Sequence, residues 1–481
     1  MERIVTAKQA KEQDRAVIAS GVPSVELMRI AAEGIAEAVR ARIESGTTVT
    51  GVCGIGNNGG DGVAAALLLY RNGIDARIVL CGDENRCTPD TAYYLSEAIK
   101  AGVPVLQDWE PDNNELLIDA LFGVGLNRSP EGRAKELIAR MNESGRPIIS
   151  ADLPSGLDAD SGRIRGIAIK ATCTVTMQAK KAGMLLGQGR ALCGEVVVRK
   201  LYDDPVEPDL FFEDEADIAK LLPKRPFDSH KGMNGHALLC VGSKTYPGAA
   251  LLSAKAALRG GAGLLTVCMP DPVRPFFAAL PEAITAPTGT DDWCADALNA
   301  VLPAMQNKQA IGIGSGAGKG DLIPVIEAAL AAGTKLVLDA DALNQIAAHR
   351  ELLSKLHENV VITPHAGEMA RLLDTTVDEV LSDPLGAARI FPCTTLLKGA
   401  TTLVHANGRT AFLTFGNPGL AKGGSGDVLT GLITALLAQG LEPFDAARAG
   451  TYLLGTSADR AMRLLGERAL LASDVVDMVQ Y

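Results

Sequence analysis

Several features are scarce in this chain. Aromatic residues make up only 4% of its 481 residues, against 51 Gly. That balance suits a tightly turned α/β fold. No apolar run reaches the roughly 18 residues that a membrane span needs, and the opening Met1–Lys8 lacks a signal-peptide core. Neither a membrane nor an export route is therefore expected. The nine cysteines (53, 81, 87, 173, 193, 240, 268, 294, 393) are dispersed, with no C-x-x-C pair. An odd, scattered set fits reduced thiols in a cytoplasm and excludes a disulfide frame or zinc site. Positive charge is not in excess: the formal net charge is −11, which argues against a nucleic-acid surface. Nucleotide binding stays open, because loops can cradle phosphates with backbone donors. No fixed-period repeat or low-complexity tract occurs.

What is present is core. Hydrophobic residues reach 47% and charged residues 21%, and the length allows two generous domains or about three ordinary ones. Residues 7–19 and 23–44 read as helices, the second amphipathic. Strands at 48–53, 76–81, 115–120 and 147–152 alternate with helices at 59–70, 89–100 and 131–142. Strands at 173–177 and 195–199 close the series. This rhythm predicts a parallel sheet with helices on both faces, whose ligands lie at the strands' carboxyl ends.

Three loops occupy such ends. Gly54-Ile55-Gly56-Asn57-Asn58-Gly59-Gly60-Asp61-Gly62 follows a strand, opens a helix and matches G-x-G-x-x-G, so dinucleotide phosphate is a first guess. The second loop runs from Asp119 to Ser129 and the third from Asp152 to Asp158. Asp119 and Asp152 each end an apolar strand, where a carboxylate has little structural reason to sit. The competing reading makes each Asp a helix cap.

These NNGGDG and D-x-P-S-G motifs resemble the NAD(P)H-hydrate epimerase domain over roughly residues 1–210. The resemblance implies that Asn57, Asn58, Gly59, Gly60 and Asp61 bind a hydrated nicotinamide dinucleotide, together with Gly123, Val124, Gly125, Leu126, Asn127, Arg128 and Ser129. It implies a potassium ion on Asn58, Asp119 and Ser155, and substrate contact by Asp152. Oxygen donors suit such a hard cation. Asp119 or Asp152 would help the substrate hydroxyl leave and return; the sequence does not choose between them.

Prolines and acids without periodicity between Lys200 and Pro226, including Tyr202–Asp209, mark a linker. The expected boundary divides residues 1–212 from 213–481. Beyond it, strands are expected at 237–241, 264–269, 310–314, 335–339, 360–363 and 395–398. A hairpin at 402–405 and 410–414 turns on Asn407-Gly408. Gly314–Gly320 invites a P-loop reading that fails, because Ile313 stands five residues before Gly318 and Gly320 fills the Ser/Thr position.

Polar turns gather at Asp339-Ala340-Asp341, at Thr363-Pro364-His365-Ala366-Gly367-Glu368 and at Lys398-Gly399-Ala400-Thr401-Thr402. Most informative is Gly416-Asn417-Pro418-Gly419-Leu420-Ala421-Lys422-Gly423-Gly424-Ser425-Gly426-Asp427, just before an apolar helix. Bare N–H groups of Gly424 to Gly426 would attract phosphate, with Asp427 as a base beside them. The plainer reading makes Asp427 an N-cap.

The G-N-P-G-L-A-x-G-G-x-G-D and T-P-H-x-G-E stretches resemble the ribokinase-like superfamily, and within it the ADP/ATP-dependent NAD(P)H-hydrate dehydratases, over roughly residues 214–481. Cys240-Val241-Gly242-Ser243 departs from the usual double glycine, and Ser425 fills a position that varies, without loss of a functional group. The resemblance implies that Ala262 or Gly263, Gly316, His365 and Asp427 line the hydrated dinucleotide. Lys398, Gly399, Ala400, Thr401, Thr402 and Gly426 would hold ADP or ATP, with magnesium on its phosphates. Related assemblies imply a homo-oligomer.

The expected fold class is α/β in two domains: a Rossmann-like three-layer sandwich and a ribokinase-like domain. The expected activity is repair of hydrated NADH and NADPH, by epimerisation in the first domain and nucleotide-dependent dehydration in the second. The alternatives are a small-molecule kinase of the same superfamily, separated by a stable phosphate-ester product, and a binding module. An NAD-dependent dehydrogenase would need an acidic ribose ligand, and Asp83 comes late for one.

Overall fold

The computed structural model describes residues 1–204 and 206–481; Pro205, in the stretch read as a linker, lies outside the described residues. The chain forms two compact units, Arg3–Pro208 and Asp209–Tyr481 with Met1–Glu2. The second unit begins ahead of residue 212 because Leu210–Phe212 is a strand, parallel to Arg409–Leu413 with Leu210 opposite Thr410. Among the described residues no helix is long and apolar enough to cross a membrane.

The first unit is built on a parallel sheet in the order Val105–Leu106, Ala76–Leu80, Thr48–Cys53, Glu115–Ala120, Ile148–Ala151, Cys173–Met177, Glu195–Arg199. Period-two alternation sends Leu116, Ile118 and Ala120 into one apolar cluster and Leu117 into another. Both faces are therefore covered, which makes three layers. The chain leaves Thr48–Cys53 in one direction and returns to Glu115–Ala120 on its other side. Such a switch point opens a crevice at the strands' carboxyl ends, where the first turn of the helix Asn57–Arg71 and the Gly123–Ser129 loop emerge.

In the second unit the sheet runs Ile284–Pro287, Leu264–Met269, His236–Cys240, Ala310–Ile313, Lys335–Leu338, Val360–Ile362, Thr394–Leu397, all parallel. The antiparallel hairpin Thr402–Ala406 and Arg409–Leu413 follows. Asn407 and Gly408 turn it with φ of 49° and 78°, the doubly left-handed turn that Asn-Gly favours. The helix Ser425–Ala438 is apolar all round and buries every residue from Val428 to Ala438, as a core helix must. Gly431 lets it lie against the helix Pro247–Arg259, because a Cβ there would stand 2.1 Å from the Ser253 carbonyl oxygen.

Candidate active sites

In the first unit the crevice is a cavity of about 990 Å³, lined by Asn57, Asn58, Asp61, Gly123 to Ser129 and Asp152. The helix Asn57–Arg71 starts at Gly56 without a side-chain cap, so its first amides face the cavity as an anion-binding end. Gly59 and Gly60 also serve packing, through the side chain they lack. A Cβ on Gly59 would stand 1.8 Å from the Gly54 carbonyl oxygen, and one on Gly60 would stand 2.5 Å from Met28 Cε. Gly123 brings two expected residues together: its Cβ would lie 2.8 Å from Asn58 Oδ1 and 3.2 Å from Asp152 Oδ2.

The two candidate carboxylates differ in what they have left to offer. Asp119 is fully buried, and both its oxygens are taken. Oδ1 accepts from Ser155 Oγ (2.5 Å) and Leu121 N (3.4 Å), while Oδ2 accepts from Ser150 Oγ and Ser155 N, both at 2.8 Å. Burial raises its pKa, against the pull of these donors. Asp152 instead receives every donor on Oδ1: Lys181 Nζ, Met177 N at 3.2 Å and Thr176 Oγ1 at 3.4 Å. No described residue donates to its Oδ2. Neither carboxylate is a helix cap. Asp61, half-buried in the lining, has its pKa pushed well above the usual carboxylate range by burial and then by Asp152 and Asp14, with Lys181 opposing.

The second unit gathers its polar loops at the carboxyl ends of its strands. The helix Ser425–Ala438 begins at Gly424, whose φ is 100° and which offers no side-chain cap. The first amides, Ser425, Gly426 and Asp427, therefore have no partner within the helix or from a cap among the described residues, one residue later than expected. Asp427 sits in the first turn and is not the cap. Burial, then the neighbouring Asp339, pushes its pKa up to about 7, with Ser315 and Lys398 pulling it down. The Ser315 hydroxyl is fully buried and has no hydrogen-bond partner of ordinary length among the described residues.

Asp339 is the hub beneath. Its Oδ1 accepts from Thr363 Oγ1 and Lys398 Nζ, both at 2.8 Å, and its Oδ2 accepts from Thr430 Oγ1 at 2.9 Å. Burial alone would lower the pKa of Lys398, but Asp339 and Glu368 outweigh it and hold it above the ordinary lysine value. A Cβ on Gly426 would meet Asp339 Oδ2 at 3.5 Å and Lys398 Nζ at 3.6 Å. Glycine there leaves an open notch between a cation and a helix N-terminus.

His365 stands beside Lys398, whose amide donates to the Pro364 carbonyl at 2.8 Å. Its Nδ1 caps the helix Ala366–Leu373, accepting from Gly367 N and Glu368 N at 3.0 and 3.3 Å. Nε2 is the nitrogen left to meet a ligand, and it lies 3.4 Å from Glu368 Oε1. Gly399 and Ala400 are exposed, Thr401 is buried and Thr402 starts the hairpin. Gly316 adopts φ 60°, and its Cβ would stand 2.4 Å from Ala249 Cβ. Ala262 and Gly263 are not brought to this cluster. They lead into the amino end of Leu264–Met269, whose first residue pairs with His236. Gly263 is needed there because a Cβ would meet the Lys231 carbonyl oxygen at 2.0 Å. Sequence reasoning missed Lys181, Ala249 and Ser315, and left Asp339 without a role.

The second unit is a ribokinase-like α/β domain, alike in fold to a solved ribokinase-like superfamily protein from Enterococcus faecalis V583. The two share 26% identity and a TM-score of 0.50, over 58% of this chain and 96% of that one. Residues 237–480 match the family described as NAD(P)H-hydrate dehydratase, and residues 24–183 the family described as YjeF-related protein N-terminus. Nearly the whole chain is similar to proteins named bifunctional NAD(P)H-hydrate repair enzyme Nnr. In Coxiella burnetii the identity is 36%, covering 97% of this chain and 96% of the relative. In Escherichia coli K12 it is 34%, covering 96% and 90%. The chain belongs to the family of bifunctional NAD(P)H-hydrate repair enzymes.

Proposed function

We propose that the unit Asp209–Tyr481 dehydrates hydrated NADH and NADPH at the expense of ADP or ATP, and that Arg3–Pro208 interconverts the R and S epimers of the same substrate. The observation that carries the first part is Asp427 in the first turn of an uncapped helix, beside Lys398 and the Gly426 notch. Hydroxide is a poor leaving group from a ring carbon. Asp427 takes the hydroxyl proton as the oxygen attacks the terminal phosphoryl group. The amides of Ser425 to Asp427 and Lys398 stabilise the charge that develops there. Phosphate then departs with the C–O electron pair, the adjacent carbon loses a proton and the ring double bond returns. His365 Nε2, Gly316 and Ala249 border the dinucleotide, while Lys398 to Thr402 and Gly426 border the nucleotide.

Among the described residues no three His, Cys, Asp or Glu side chains converge as a metal site. Magnesium would arrive on the nucleotide's phosphates and neutralise charge there. Asn58, Asp119 and Ser155 fit potassium in chemistry, as hard oxygens with one carboxylate. Of the Asn58 amide, potassium would take the oxygen Oδ1; the buried Nδ2, which has no acceptor among the described residues, is a donor and would face away from the ion. A bound potassium ion would supply a fixed positive charge beside the cavity.

In the epimerase, Asp152 rather than Asp119 is the acid/base residue, because its Oδ2 receives no donor among the described residues and can exchange a proton with the substrate hydroxyl. The ring nitrogen's electron pair expels water, and water returns to either face. Mass spectrometry of the dehydration mixture tests the reading: free phosphate with NADH is expected, and a stable phosphate ester would favour a small-molecule kinase.

A further inference from the structure

Lys181 is nearly inaccessible, 2% exposed, yet borders the first unit's cavity. It lies on the two-residue strand Lys180–Lys181, paired with Ile4 and Val5. An ammonium has three protons to donate, and all are committed. One goes to Asp152 Oδ1, one to Thr176 Oγ1 at 3.0 Å and one to the Met177 carbonyl at 2.8 Å. Lys181 therefore clamps the ends of two neighbouring strands, Ile148–Ala151 and Cys173–Met177, and has no proton left for a ligand.

The residue it holds is unusual. Asp152 has φ 63°, a left-handed conformation that costs energy for a residue other than glycine and persists only where the surroundings impose it. Its backbone N–H donates to the Val175 carbonyl at 2.8 Å. With Oδ1 occupied, Oδ2 is turned toward Gly123. The other charged groups around this pair are carboxylates: Asp61 from the helix Asn57–Arg71 and Asp14 from the helix Ala7–Ala19. Asp14 is engaged by the Tyr202 hydroxyl at 3.1 Å. Lys181 pairs with Asp152, and its positive charge opposes the rise in pKa at Asp14 and Asp61.

We propose, resting on the epimerase reading of this cavity, that Lys181 is the positioning residue of that reaction: it fixes Oδ1 of Asp152 so that Oδ2 alone meets the substrate hydroxyl. It touches no substrate and acts through Asp152.

The test uses the full chain and chromatographic separation of the R and S epimers of hydrated NADH. Lys181→Met should lower kcat for epimer exchange by about a hundredfold, within the range of lost acid–base positioning, with KM changed less than about threefold. Because that variant could misfold, Lys181→Ala is titrated with ethylammonium, which should restore exchange saturably. Exchange in K181M within about threefold of wild type overturns the inference alone. So does a loss carried by KM, or a K181A defect that ethylammonium leaves untouched. A wild-type chain that does not interconvert the epimers overturns the epimerase reading itself, and this inference with it.

Discussion

Thr430 Oγ1 donates to Asp339 Oδ2 at 2.9 Å, tying the end of the strand Lys335–Leu338 to the helix that carries Asp427. Thr430 lies one turn beyond Asp427 on the same helix, so Asp339 sits under the base as well as against Lys398. Its charge is one of the forces raising Asp427 to about 7, after burial. A base must be ionised to accept a proton, so dehydration should fall as pH drops below about 7. Asp339→Asn removes a negative neighbour, which lowers the Asp427 pKa and moves that acid limb to lower pH. A pH–rate profile whose limb stays put or moves upward would contradict this electrostatic account.

Thr430→Val keeps the shape but removes the donor. It leaves a buried carboxylate oxygen short of a partner, at a cost of about 1–3 kcal/mol in urea unfolding.

Asp427→Asn keeps the size of the side chain and removes the base. Dehydration should drop by about 10²–10⁴-fold, while ADP or ATP affinity, measured by calorimetry, should change little. Normal turnover in this variant would remove Asp427 from the chemistry.

Gly426→Ala separates binding from folding. The added Cβ meets Asp339 and Lys398 only at ordinary contact distance, and alanine favours helix over glycine by about 1 kcal/mol. The melting temperature should hold or rise while nucleotide affinity falls, because the methyl fills the notch. If nucleotide binds the variant as tightly as wild type, the phosphates do not lie there.

Asp152→Asn and Asp119→Asn should fail in different ways. The first loses epimer exchange in a folded protein. The second disturbs a carboxylate with four donors and should show first as lost stability, by about 1–3 kcal/mol. Denaturant melts beside exchange rates distinguish them. An Asp152→Asn variant with wild-type exchange and an inactive but fully stable Asp119→Asn would reverse the assignment.

Much of this was legible in the sequence. The strand at Thr48–Cys53 follows from its apolar run, the helix at Ala7–Ala19 has the bounds read from the sequence, and the Asn407-Gly408 turn follows from its residues. The glycine-rich loops fall at the strand ends where parallel sheets bind ligands. What escaped was what depends on contacts far along the chain. Lys181 lies on a strand too short to show a period. Ala249 matters only because Gly316 folds against it. Gly263 carries the same residue type as the ligand loops, yet its lack of a side chain serves the Lys231 carbonyl at the opposite end of the sheet. Asp427 looked like a possible cap because caps and first-turn acids share a composition. Gly424, with φ 100°, starts the helix instead.

The most direct measurement of the central claim follows the near-ultraviolet absorbance of the reduced nicotinamide ring. The purified full chain is mixed with an equal mixture of R and S hydrated NADH, magnesium and either ADP or ATP. Recovery of the absorbance equivalent to both epimers, with one phosphate released per ring restored, is the predicted result. No recovery with either nucleotide would contradict the account.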